Sequence, residues 1–220
     1  MDTIKTEPSN HMSKAEELAN SLSHGFGLLA SFVGEPLLIV HAVQQGDVGY
    51  IVGSSIFAAT VILLYFFSTL YHGLPEGKPK RVFLIMDHMG IFLLIAGTYT
   101  PFTLGVLSGA WGWSIFGVIW GLAALGMLLK LLERTPRPHF FTAIYLLMGW
   151  VIIAAVNPML ESVSTAGLLW LLAGGLFYSF GVIFFVLDHR LKFGHMIWHL
   201  FVVAGTTSHY IAVYGYAYPA

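Results

Sequence analysis

A chain of 220 residues that is 57% hydrophobic and only 10% charged, with a net charge of −1 and a mean hydropathy of +0.78, excludes a soluble domain and a basic nucleic-acid-binding surface. It has no cysteine, which excludes a disulfide framework, a thiolate metal site and a cysteine nucleophile. What remains is a single all-α bundle embedded in a membrane.

Residues 1–12 are polar and aperiodic, which predicts a disordered tail, and they hold no short apolar segment of the signal-peptide kind. Ser13 and Glu16 have capping-box spacing. They predict a short interfacial helix, turning inward near Asn20, at the head of one domain covering residues 13–220. Apolar stretches follow at about 20–45, 48–72, 83–106, 111–130, 139–157, 165–187 and 194–216, each near the roughly 20 residues that cross a hydrocarbon core. Gly34-Glu35-Pro36 predicts a kink in the first, and nothing in the sequence names a partner for Glu35. Ser108 to Trp113 reads as a tight turn between the third and fourth, and 157–164 as a loop. Trp111, Trp113, Tyr50, Tyr210, Tyr214, Tyr216 and Tyr218 read as an outer aromatic belt. Glycines within the spans, Gly90, Gly97, Gly117, Gly121, Gly174 and Gly205 among them, read as close helix packing.

All ten Lys and Arg fall on one side of this seven-span reading. Lys5 and Lys14 precede span one, and Lys78, Lys80 and Arg81 lie between spans two and three. Lys130, Arg134 and Arg137 lie between four and five, and Arg190 and Lys192 between six and seven. The positive-inside rule then puts the N-terminus in the cytoplasm and the C-terminus, Ala220, outside.

Ionisable side chains inside spans are costly and mark function. His195 and His199 are four residues apart, so both imidazoles share one helix face about 6 Å apart along the axis. That is a spacing suited to two ligands of a tetrahedral metal. His72 ends span two, Ser68 lies one turn deeper, and Asp87 opens span three, all at the depth of His195. Three histidines leave a fourth position for water, as in catalytic zinc sites. Asp87 is placed to orient or deprotonate that water, and the Ser68 hydroxyl to stabilise an oxyanion. His24, His41, His88, His139 and His189 read as interfacial, snorkelling residues. His209, ten residues beyond His199, is about 15 Å deeper on another face and is not counted as a ligand.

Glu17-x-x-Asn20-x-x-x-His24, Ser68-x-x-x-His72, Asp87-x-x-Gly90 running to Thr100-Pro101, and His195-x-x-x-His199 occur in that order. Together they resemble the hemolysin III branch of the progestin and adipoQ receptor family, from about Glu17 to Tyr214. The resemblance implies seven helices with an inside N-terminus in a bacterial inner membrane. It also implies zinc on His72, His195 and His199, with Asp87 and Ser68 beside the metal water. A wider kinship with alkaline ceramidases implies hydrolysis of a lipid amide or ester, the membrane lipid being substrate. Two other functions fit the same residues: a non-catalytic sensor of membrane lipid in which zinc staples helices, and a cytolytic pore, for which no span offers a polar stripe. A haem is disfavoured, because His195 and His199 face the same way rather than across a ring. Neither a nucleic acid nor a soluble protein partner is implied.

Overall fold

The computed structural model describes residues 12–107, 109–133 and 137–218. The expected tail over residues 1–11, with Lys5, and Ser108, Arg134 and Ala220 lie outside them. Among the described residues the chain is helical, without strands, and seven helical lengths are long and apolar enough to cross a membrane.

Helix α1 (Lys14–Gln45) starts at the expected capping box: Ser13 N–H donates to Glu16 Oε2 at 2.9 Å, and Glu16 N–H to Ser13 Oγ at 3.3 Å. The separate interfacial helix does not form. α1 runs unbroken through Asn20 for 32 residues, because Asn20 is fully buried against α8, where its carbonyl meets His199. Gly34-Glu35-Pro36 does not interrupt it either. Tyr210 of α8 packs at that level and its hydroxyl donates to Gly34 O at 2.7 Å, the kind of support that lets a proline sit within a membrane helix. Gly46, left-handed at φ 79°, ends α1. The Asp47 carboxylate accepts from Tyr50 N–H at 2.6 Å and opens α2 (Val48–Gly73).

Helices α3 (Lys78–Leu104) and α4 (Gly109–Leu131) follow, so Trp111 and Trp113 lie in the first turns of α4 rather than in a loop. Span five departs most from expectation. It comprises α5 (Pro138–Gly149), a 3-10 turn (Val151–Ala155) and α6 (Val156–Ser162), so 157–162 is helix and not loop. Tyr99 of α3 causes the break to hold: its hydroxyl accepts Ile152 N–H at 3.0 Å and lies 3.0 and 2.8 Å from the Met148 and Gly149 carbonyls. Spans six and seven are α7 (Thr165–Val186) and α8 (Gly194–Tyr216).

Cross-helix pairs fix the directions. Gly53 meets Pro101, Thr60 meets Gly97 and Leu64 meets Gly90, so α2 and α3 are antiparallel; Gly167–Tyr216 and Gly174–His209 make α7 and α8 antiparallel in the same way. Every described Lys and Arg therefore lies at one end of the bundle, here called the basic end. Outward faces carry Leu22, Phe26, Leu29, Val33 and Leu37 of α1 and their equivalents elsewhere, as a lipid-facing surface requires. Two expectations are corrected. Tyr50 is not in the aromatic belt: it is fully buried, its hydroxyl donating to Val213 O at 3.0 Å. Gly117 and Gly121 pack against nothing within 4 Å, unlike Gly53 and Gly97.

At Gly53 an added Cβ would lie 2.5 Å from Pro101 Cα and 2.9 Å from Thr100 O, backbone that only a helix shift can move. Gly53→Ala is expected to destabilise the protein by about 1–3 kcal/mol, measured by thermal unfolding in detergent, whereas Gly117→Ala should leave the midpoint unchanged or raise it slightly.

Candidate metal centre

Two helices bring the three expected histidines together. His72 is on the last turn of α2, and His195 and His199 are on the first two turns of α8. Each offers a ligand atom within 4.8 Å of the others, and the ring centroids form a triangle of 5.1, 5.0 and 4.8 Å. His72 and His199 are buried and His195 is half-buried.

The Nδ1 side of every ring is engaged. His72 Nδ1 lies 2.7 Å from Glu17 Oε2, and His195 Nδ1 lies 3.1 Å from Asp188 Oδ2. His199 Nδ1 lies 3.1 Å from Asn20 O and 3.0 Å from Ser23 Oγ, whose own proton goes to Asn20 O at 2.8 Å. Carboxylates and carbonyls only accept, so Nδ1 carries the proton in each ring and Nε2 keeps the lone pair. His72 Nε2 is buried and has no partner. This is how outer-shell partners orient metal-binding histidines. Three neutral imidazoles with an orphaned ring nitrogen suit a borderline-soft cation such as zinc.

Glu17 also accepts from Lys80 Nζ at 2.9 Å, and Lys80 donates on to Tyr71 O at 3.0 Å and Leu74 O at 3.3 Å, the last carbonyls of α2. Glu17 and Asn20 thus act through the cluster, a role their sequence motif carried but spacing alone did not reveal. Asp87 is half-buried, within electrostatic reach of His195, and stands beside Ser68. Ser68 Oγ is buried without a well-formed hydrogen bond.

Beside the triad opens a cavity of about 1230 Å³ between α3, α5, α7 and α8, walled chiefly by residues such as Leu94, Ile95, Phe102, Leu171 and Val202. His195, His199 and Asp87 line its basic end. Trp150 Nε1 donates to Ser179 Oγ across its α5–α7 side at 3.1 Å.

Two histidines expected at the interface are elsewhere. His24 is 3% exposed and stacks on His199, with centroids 3.6 Å apart and planes at 9°. His88 lines the cavity. Both lie on long helices of the bundle, and the side each faces is set by packing against other helices rather than by neighbours in the sequence. His209 is not in the triad. Its Nε2 lies 3.2 Å from Leu171 O.

A seven-span helical membrane protein with three converging imidazoles at one end of an apolar cavity is the class that fold and site define. The Haemolysin-III related family matches over residues 12–210, and the chain belongs to that family. Hemolysin-3 of Bacillus cereus is 41% identical over 204 residues, covering 93% of each chain. The Hemolysin-3 homolog of Bacillus subtilis (strain 168) is 40% identical over 201 residues, 91% of this chain and 94% of that one. The monocyte to macrophage differentiation factor of Homo sapiens is 32% identical over 215 residues, 92% of this chain and 85% of its own length. No solved structure matches. The protein is a multi-pass integral membrane protein with bacterial relatives across nearly its whole length.

Removing Glu17 would leave Lys80, 7% exposed, without its counter-ion. Glu17→Ala is expected to cost about 1–3 kcal/mol, and Lys80→Ala in the same background should add much less than it does alone. A double-mutant cycle on thermal unfolding measures the coupling.

Proposed function

We propose that the protein is a zinc-dependent hydrolase of membrane lipid amides or esters, with the basic end facing the cytoplasm. One observation carries the reading: three oriented imidazoles have no fourth protein donor in their group among the described residues, and two of them, His195 and His199, line an apolar cavity large enough for lipid chains. A zinc ion held by His72, His195 and His199 would supply Lewis-acid polarisation of a carbonyl and of water. The chain's own residues do the rest. Asp87 positions the attacking water and accepts its proton. The Ser68 hydroxyl donates to the oxygen on which negative charge develops. The cavity walls seat the acyl chain, which enters sideways from the bilayer, and keep bulk water away from the reacting carbonyl. A lipid sensor with purely structural zinc would be better served by four protein ligands. The relatives' name hemolysin denotes cell lysis, but the outward faces here are apolar and suit a bilayer rather than an aqueous pore.

About one zinc per chain is expected by elemental analysis of protein purified without chelator, with most of it lost in His72→Ala, His195→Ala or His199→Ala. Full occupancy in His199→Ala would refute the ligand set. Asp87→Asn is expected to stay folded and zinc-loaded while hydrolysis of long-chain amides and esters falls by about 100-fold or more. Loss of zinc and fold together, with a wild type inert on the whole panel, would favour the structural reading instead. A C-terminal reporter active only in the cytoplasm is expected to be silent.

A further inference from the structure

Asp87 and His88 are consecutive on α3, so their side chains leave the helix about 100° apart, yet both line the cavity. Asp87 stands towards Ser68 of α2 and His195 of α8. His88 lies on the side of α3 that meets α4 and α5. Phe92, one turn further along that side, fixes the rotation. It is fully buried, its ring 4.6 Å from Tyr145 and 6.3 Å from Phe141 of α5, with Gly126 of α4 leaving no room on its other flank. The Tyr145 hydroxyl donates to the His88 carbonyl at 3.1 Å and pins the main chain there.

The imidazole itself has no such anchor. His88 Nδ1 is buried without a partner, and no hydrogen bond reaches the ring among the described residues. His24 is also unpartnered, but it is covered by its stack on His199, and His209 already has the Leu171 carbonyl. A buried polar group left unpaired costs free energy and is rare in native structures. Here the residue lines an open cavity whose other walls are largely apolar. Nε2, the ring nitrogen that is not enclosed, donates or accepts according to the tautomer, and a hydroxyl or a secondary amide can meet it in either form, whereas an ester only accepts.

We infer that His88 hydrogen-bonds the polar head of the lipid that fills the cavity and so selects long-chain lipids bearing a hydroxyl or secondary amide near the scissile carbonyl over plain acyl esters. This rests on the lipid-hydrolase reading and makes His88 its specificity-determining residue. It is distinct from the zinc ligands and from Asp87.

The test uses full-length protein in nanodiscs and two probes sharing one acyl chain: an N-acylated long-chain amino alcohol, and the methyl ester, which has no donor. Wild type should bind the amide more tightly. His88→Phe, which keeps a ring without nitrogens, should weaken amide binding by about tenfold or more. It should leave the ester affinity, zinc content and unfolding midpoint unchanged. His88→Leu provides a second apolar variant should the larger ring disturb the fold, and His88→Asn, which keeps a donor and an acceptor, should restore most of the preference. Equal preference in wild type and the folded apolar variant overturns the assignment alone, as does loss of zinc in that variant. A wild type that binds neither probe overturns the lipid reading and this assignment with it.

Discussion

Glu17 holds three helices at one point, and the arrangement of the basic end depends on it. From α1 its two oxygens reach His72 of α2 and Lys80 of α3, and Lys80 closes the end of α2 by binding its last carbonyls. Charges this close to hydrocarbon are tolerable only when paired, so the register of α1 against α2 and α3 is fixed here. The next turns of α1 then place Asn20 and Ser23 against His199, and α8 is drawn beside α2. The offset persists along the bundle: Ser23 meets His199 and Gly34 meets Tyr210, each 176 residues apart. The triad is thus assembled by a neighbouring helix that contributes no member to it.

The cavity is the complement of close packing elsewhere. Glycines at Gly53, Gly90 and Gly97 let α2 and α3 approach to backbone or near-backbone contact, and Gly167, Gly174 and Gly181 of α7 make room for the Tyr216, His209, Phe201 and Trp198 side chains of α8. Two tight pairs cannot also close on each other through bulky side chains such as Tyr99, Trp150 and Tyr178. On the α5–α7 side the cavity is spanned by the Trp150–Ser179 hydrogen bond. Strong cohesion on two seams and a large void between them are one design in a solvent that offers helices little hydrophobic drive to associate.

Span number, the common end of the basic residues and the His195–His199 pair were legible because each rests on a local property: apolar length, charge placement or helical period. His72 and Asp87 were reachable because span direction converts chain position into depth. Rotation about the helix axis was not legible. It separates His88 in the cavity from a snorkelling residue, and Tyr50 in the core from an aromatic belt, and it is set by partners such as Phe92 and Val213 far away in the chain. Glu17, Asn20 and Asp188 escaped spacing arguments for the same reason. Each acts on a histidine carried by another helix or across a turn.

The interruption of span five has a consequence for how the molecule is put together. Within that span alone, lipid would favour an uninterrupted helix, since every amide and carbonyl must find a partner and the nearest is one turn away. The Tyr99 phenol supplies a substitute partner to Ile152 and to the two carbonyls before it. It comes from a span synthesised about fifty residues earlier. The bend is therefore a property of the pair, absent from span five at insertion and acquired only on docking against α3. In biogenesis the cavity wall would take shape late, after the helices have crossed the bilayer.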